Sequence, residues 1–223
     1  MRQPWKDMIP VEWVAARQKE QMLGQLEATA AARNWALALA VVGWLHLGVF
    51  VSCHYLSSVR DYHYPPVFAA LWAAELMGVA AAFRLCGGRR GPKPAIQPIE
   101  RLVRRIWGAY FVLAVSVTML NGTAGHTHFV LLPAIASLAS FAFIMMTVLV
   151  TWRFFGAVLV MFASGLLMAA HPHYAYVIFG VAWWFVLERI AMMLWQNRRR
   201  QRGGLRRPIV IETRHDRATV TST

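Results

Sequence analysis

Acidic residues are scarce in this chain, with ten Asp and Glu among 223 residues against 23 Lys and Arg. Soluble domains carry about a quarter of their residues as charges. Here charged residues make up 15% and hydrophobic ones 58%, which excludes an ordinary soluble domain and leaves a membrane protein. Cysteine is nearly absent too. Cys53 and Cys86 fall at opposite ends of neighbouring apolar segments, roughly 30 Å apart by bilayer thickness, so they cannot bridge within one chain. The sequence also has no Gly-rich phosphate loop, no HExxH, no GxSxG and no Cys-x-x-Cys, and none of the chemistries those signatures carry is indicated. Strand-type alternation with a period of two is missing from the apolar runs, which excludes a membrane barrel in favour of helices.

What is present is a series of apolar runs flanked by basic segments. Runs of about 17–25 residues are long enough to span a bilayer, and six are predicted: Ala36 to Leu56, Pro66 to Cys86, Ile106 to Asn121, Phe129 to Thr151, Phe154 to Ala170 and Ala175 to Trp195. Every Lys and Arg except Arg60 and Arg189 lies on one side of these spans or at its boundary, whereas His54, His63, His126, His128, His171 and His173 lie on the other. The positive-inside rule then gives an even number of spans with both termini inside. The expected fold is an all-α, polytopic bundle of six transmembrane helices, N-in and C-in, with an additional cytoplasmic or interfacial helix at the N-terminus.

Three regions follow. Residues 1–35 are expected to form a cytoplasmic tail with an amphipathic helix, residues 36–196 the transmembrane domain, and residues 197–223 a basic, disordered cytoplasmic tail. The formal charge of +13 sits in loops and tails, so its partners are anionic headgroups at the inner face and not nucleic acid. A membrane or cytoplasmic protein is a further partner open to the basic tails. No cleavable signal is expected, because the first apolar run begins near Asn34 after a tail of mixed charge. The location this implies is a bacterial inner membrane.

Proline is absent between Pro10 and Pro65, so a helix beginning near Val11 can run on into the first span. Its stripe of Val11, Val14, Met22 and Leu26 is apolar enough to lie on a membrane or a partner helix. In the second span Ala70, Ala74, Gly78 and Ala82 recur every four residues, which predicts a face for close helix contact. Aromatic residues near span ends, including Trp35, Tyr55, Tyr64, Trp107, Tyr174, Tyr176 and Trp195, are expected at headgroup level as anchors.

Two groups of residues carry candidate chemistry. On the outer side, Asp61-Tyr62-His63-Tyr64, His126-Thr127-His128-Phe129 and His171-Pro172-His173-Tyr174 each place a ligand-type residue, a spacer, a histidine and an aromatic before a re-entering span. Imidazoles bind zinc, copper, iron and nickel, and three or four ligands complete a site. Asp61, His63, His126, His128, His171 and His173 are thus a candidate outer site for a transition metal or haem, weighed against ordinary interfacial histidines.

Within the membrane, His46 in span one and Glu75 in span two fall at the same depth because the spans are antiparallel. An unpaired charge at the bilayer centre costs about 2.5–3.5 kcal/mol on insertion scales, so Glu75 is expected to be paired, either as a proton relay or as a polar clasp. His46 is alternatively an axial haem ligand. Glu188 in span six is expected to form an inner-boundary ion pair with Arg84, Arg105 or Arg153. Three functions remain open: a non-enzymatic sensor, anchor or assembly module; a small proton- or ion-coupled transporter using Glu75 and His46; and a metal- or haem-binding redox protein at the outer face.

Overall fold

The computed structural model describes residues 11–60, 65–86, 98–124 and 128–204. Among them there is no strand. Seven helices follow one another as α1 (Val11–Ala32), α2 (Trp35–His54), α3 (Pro65–Cys86), α4 (Pro98–Thr123), α5 (His128–Leu149), α6 (Phe155–Ala170) and α7 (Ala175–Gly204). A π turn, Tyr55–Val59, extends α2, and 3₁₀ turns at Trp152–Phe154 and Pro172–Tyr174 lead into α6 and α7. The six helices α2 to α7 are long and apolar enough to cross a membrane, and the chain is a multi-pass helical membrane protein.

Three boundaries differ from the sequence expectation, each for a local reason. The helix at Val11 does not run into the first span. Asn34 adopts φ 51° and ψ 38°, a left-handed conformation that Asn tolerates better than most residues, and it ends α1 without any proline. Arg198 Nη1 donates to the Asn34 side-chain oxygen at 2.8 Å. At the other end of the linker, α4 begins at Pro98, well before Ile106. Its charged first turns stay helical because Glu100 accepts from Arg104 one turn on, at 2.5 Å, and pairs with Arg33 at 2.8 Å. Finally, α7 continues past Trp195 to Gly204, with the Arg199 guanidinium 3.8 Å above the Trp195 ring. Residues 205–223 lie outside the described residues.

The spans are arranged as an open horseshoe. The antiparallel seam between α2 and α7 is the most extensive contact, α6 and α5 follow, and α4 packs on α5 while α3 packs on α2. The seam is close because small residues sit in it. Gly43 on α2 leaves room for Leu187 and the Trp184 carbonyl of α7, and Gly180 on α7 lies where a Cβ would come within 2.8 Å of Phe50 Cβ. In the α5–α6 hairpin, Gly165 faces the Pro133 carbonyl, and Ser140 Oγ donates to the Val158 carbonyl at 3.1 Å.

The small-residue stripe of α3 is used only in part. Gly78 meets Leu45 of α2 and Ala82 is buried, but Ala70 and Ala74 are exposed. A repeat of four advances about 40° per step around a helix, so the stripe turns away from α2 over its length.

Helix α1 lies across the end of the bundle from which α2, α4 and α6 start. Leu26 is buried there and Met22 packs on the core, while Val11 and Val14 fall outside the described side chains. Glu27 accepts from Asn197 of α7 at 2.6 Å and pairs with Arg153, in the 3₁₀ turn before α6, at 3.5 Å. On the opposite side Ser58 Oγ donates to the His173 carbonyl at 3.4 Å, tying the π turn to the α6–α7 connection.

Gly180→Leu is expected to separate the seam and lower stability by about 1–3 kcal/mol, the usual cost of overpacking. Gly48→Leu, on a face of α2 with no atom within 4 Å of a new Cβ, is expected to leave thermal unfolding in detergent unchanged. Equal melting curves for the two variants would contradict this packing.

Candidate functional site

The horseshoe has a gap. Helices α3 and α4 each have one main spanning neighbour and do not pack along one another, and the space between them continues into a cleft of about 560 Å³. That volume lies within the range of small-molecule sites, roughly 300–1,000 Å³. The cleft opens sideways. Leu76 on α3 and Val115 on α4 line it and are nonetheless 55% and 53% exposed, so its mouth faces the lipid.

At its depth stand His46 and Glu75. His46 lies midway along α2 and Glu75 midway along α3, and the imidazole Nδ1 is hydrogen-bonded to the Glu75 Oε1. The side chains are 15% and 11% exposed. With the carboxylate ionised, Nδ1–H donates; with the proton on the carboxyl, the imidazole accepts. With two protons on the pair, as imidazolium and carboxylate or as neutral imidazole and carboxyl, it is neutral overall, which suits a site remote from water.

The two free valences of the pair are not equivalent. Nε2 of His46 is buried without a hydrogen-bond partner among the described residues, enclosed by rings whose centroids lie 4.5 Å (Phe50), 5.7 Å (Phe179) and 5.6 Å (Trp183) from that of His46. Glu75 Oε2 has no hydrogen bond among the described residues either, yet it is not one of the buried unpartnered polar atoms. It is the open polar atom of the pair.

The walls are aromatic. Trp183 of α7 makes ring contacts with Trp107 at 5.9 Å and Tyr110 at 6.3 Å, both on α4, and all three line the cleft with Trp72 of α3. Helical spacing aims Trp107, Tyr110 and Ala114 the same way. Toward α1 the cleft ends at Leu26 and Arg104. There the buried Glu100 carboxylate joins Arg33 to Arg104.

Other predicted residues fall elsewhere. Glu188 makes no ion pair among the described residues. Its Oε1 is buried without a partner and lies 3.6 Å from where a Gly43 Cβ would stand. The expected arginines are out of reach for a structural reason: α7 faces α2 at this height, and α2 carries no basic residue there. Arg153 pairs with Glu27 instead, and Arg84 and Arg105 are exposed.

Of the outer set, Asp61, His63 and His126 lie outside the described residues, and His128 opens α5 with its side chain also outside them. His171 and His173 are exposed, and the His173 ring lies 5.8 Å from that of His54 at 80°. No group of three metal-ligating side chains occurs among the described residues.

The aromatic anchors divide. Tyr55, Tyr174 and Trp195 are exposed, but Tyr176 is buried and Trp35 and Trp107 point into the cleft; Tyr64 lies outside the described residues. Trp107 was expected at a span end because the arginines before it set the boundary too late. The i, i+3 spacing of Trp107 and Tyr110 was the signal that marked an inward face.

Replacing one partner of a buried pair strands the other, a change that costs about 3–5 kcal/mol in protein interiors. Glu75→Leu and His46→Leu are each expected to lower the unfolding temperature in detergent more than the double variant does. A double variant as unstable as the two losses summed would show that the two side chains act independently.

No known protein family, curated protein or solved structure matches this chain.

Proposed function

We propose that this protein is a non-enzymatic membrane module, a sensor or assembly subunit, that takes a lipophilic guest from the bilayer into the cleft between α3 and α4. The observation that carries this reading is the lateral opening of an apolar cavity that reaches the His46–Glu75 pair. A guest already dissolved in the membrane enters such a mouth without crossing water. Apolar walls with few polar groups are the ordinary composition of a ligand pocket. The same lining disfavours a hydrated ion, which would lose its water against Trp, Phe and Leu side chains. A proton-coupled carrier would use the same pair but needs a polar route to both faces.

The orientation belongs to the proposal as well. In it both termini face the cytoplasm from the inner membrane of a bacterial cell, a reading that the asymmetry of Lys and Arg supports. Arg33, Arg104, Arg153 and Arg198 all lie at the α1 end of the bundle, in contact with Glu100, Glu27 or Asn34, which supports α1 as an inner-face helix. Anionic headgroups would meet the basic residues there.

Two measurements test the reading. Fused after Thr223, green fluorescent protein is expected to fluoresce and alkaline phosphatase to stay inactive; an active phosphatase reverses the orientation. A diazirine-bearing fatty acid, activated in membranes containing the full chain, is expected to label Leu76, Val79, Phe111 and Val115 above Phe162 and Leu166 of α6. Ala114→Trp, which fills the cleft, is expected to remove that excess. Uniform labelling of all exposed faces would sink the idea of a preferred guest site.

A further inference from the structure

We infer that the guest is a ring-bearing, uncharged lipid with a hydroxyl or carbonyl oxygen on the ring, the quinol and quinone class, seated with that oxygen on Glu75 Oε2. The inference rests on the cleft being a guest site and adds what the guest is.

Depth is the first argument. The pair lies midway along α2 and α3, so it stands near the centre of the hydrocarbon, roughly 15 Å from either headgroup layer. Phospholipid headgroups are charged and strongly hydrated, and they stay in those layers. Only a lipophile whose polar end is uncharged and small brings a hydrogen-bonding atom to this height.

Shape is the second. Trp72, Trp107, Tyr110 and Trp183 line the cleft, and such aromatic faces and edges favour a flat ring packed against them over a flexible chain. The lateral mouth between Leu76 and Val115 leaves the tail of such a molecule in the lipid.

Proton chemistry is the third. Glu75 Oε2 is the atom of the pair that is open and has no partner among the described residues. As a carboxylate it accepts from a ring hydroxyl; with a proton on Oε2 itself, while Nδ1–H of His46 still donates to Oε1, it donates to a ring carbonyl. An imidazolium balances the carboxylate, and a neutral imidazole donating from Nδ1 accompanies the acid, so a quinol and a quinone are both met without leaving a net charge in the membrane. The inference concerns binding, and no electron transfer is part of it.

The test uses the full chain in nanodiscs of phosphatidylcholine and phosphatidylglycerol free of quinone, with the diazirine fatty acid as cleft label. Decylubiquinone, its reduced form and decylbenzene are added as competitors. Both oxygenated rings are expected to protect the cleft at concentrations about tenfold or more below decylbenzene, the scale of one good hydrogen bond. The His46→Leu, Glu75→Leu double variant, which leaves no stranded partner, is expected to bring the three competitors level while the label still enters.

Equal protection by decylbenzene in the unmodified chain would overturn the inference and leave the cleft a general apolar site. Retention of the tenfold advantage in the double variant would overturn the role of Glu75. Absence of cleft labelling altogether would overturn the guest site itself, and this inference with it.

Discussion

The close seam between α2 and α7 sets most of what surrounds it. Two spans approach this nearly only where one presents hydrogen in place of a side chain, and Gly43 and Gly180 do so from opposite helices. With that contact made, the first and last spans stand side by side, α6, α5 and α4 continue from α7, and α3 hangs from the outer side of α2. The gap between α3 and α4 is the remainder of this arrangement. The seam also turns His46 toward Phe179 and Trp183 of α7, so an aromatic seat encloses one side of the imidazole while Glu75 holds the other.

At the end carrying α1, charge takes over from packing as the ordering interaction. Glu100 is almost wholly buried yet lies between Arg33 and Arg104, a geometry that compensates the carboxylate and joins the α1–α2 junction to α4. Glu27 performs the same service toward α6 and α7 through Arg153 and Asn197. Removing a charge from water is costly unless its partner is equally well placed, and these contacts therefore fix α1 in register with three spans. Leu26 brings that helix into the floor of the cleft.

Much of the architecture was legible because membrane spans are written in plain hydropathy, and six helices of sufficient length occur where six runs were read. Their ends were less legible. Arg101, Arg104 and Arg105 suggested a late start for α4, but long basic side chains leave the helix toward water or a carboxylate while the backbone stays helical. The pairing of His46 with Glu75 follows from depth alone in an antiparallel hairpin. The cleft does not, since it depends on which spans are neighbours, and the α2–α7 contact joins residues far apart in sequence. Glu188 shows the same limit: its depth was readable, but not that it faces Gly43 instead of an arginine. The outer histidines were read from spacing, and His63 and His126, with the side chain of His128, lie outside the described residues.

His46 and Glu75 belong to consecutive spans, whereas the seam that encloses His46 needs the final one. The hydrogen bond of the pair is thus available as soon as the first hairpin has entered the membrane, long before α7 is synthesised. Glu75 need never face the lipid as a lone charge during insertion, and the hairpin can wait, already neutralised, for the last helix to arrive. In this chain the order of synthesis and the order of electrostatic need coincide.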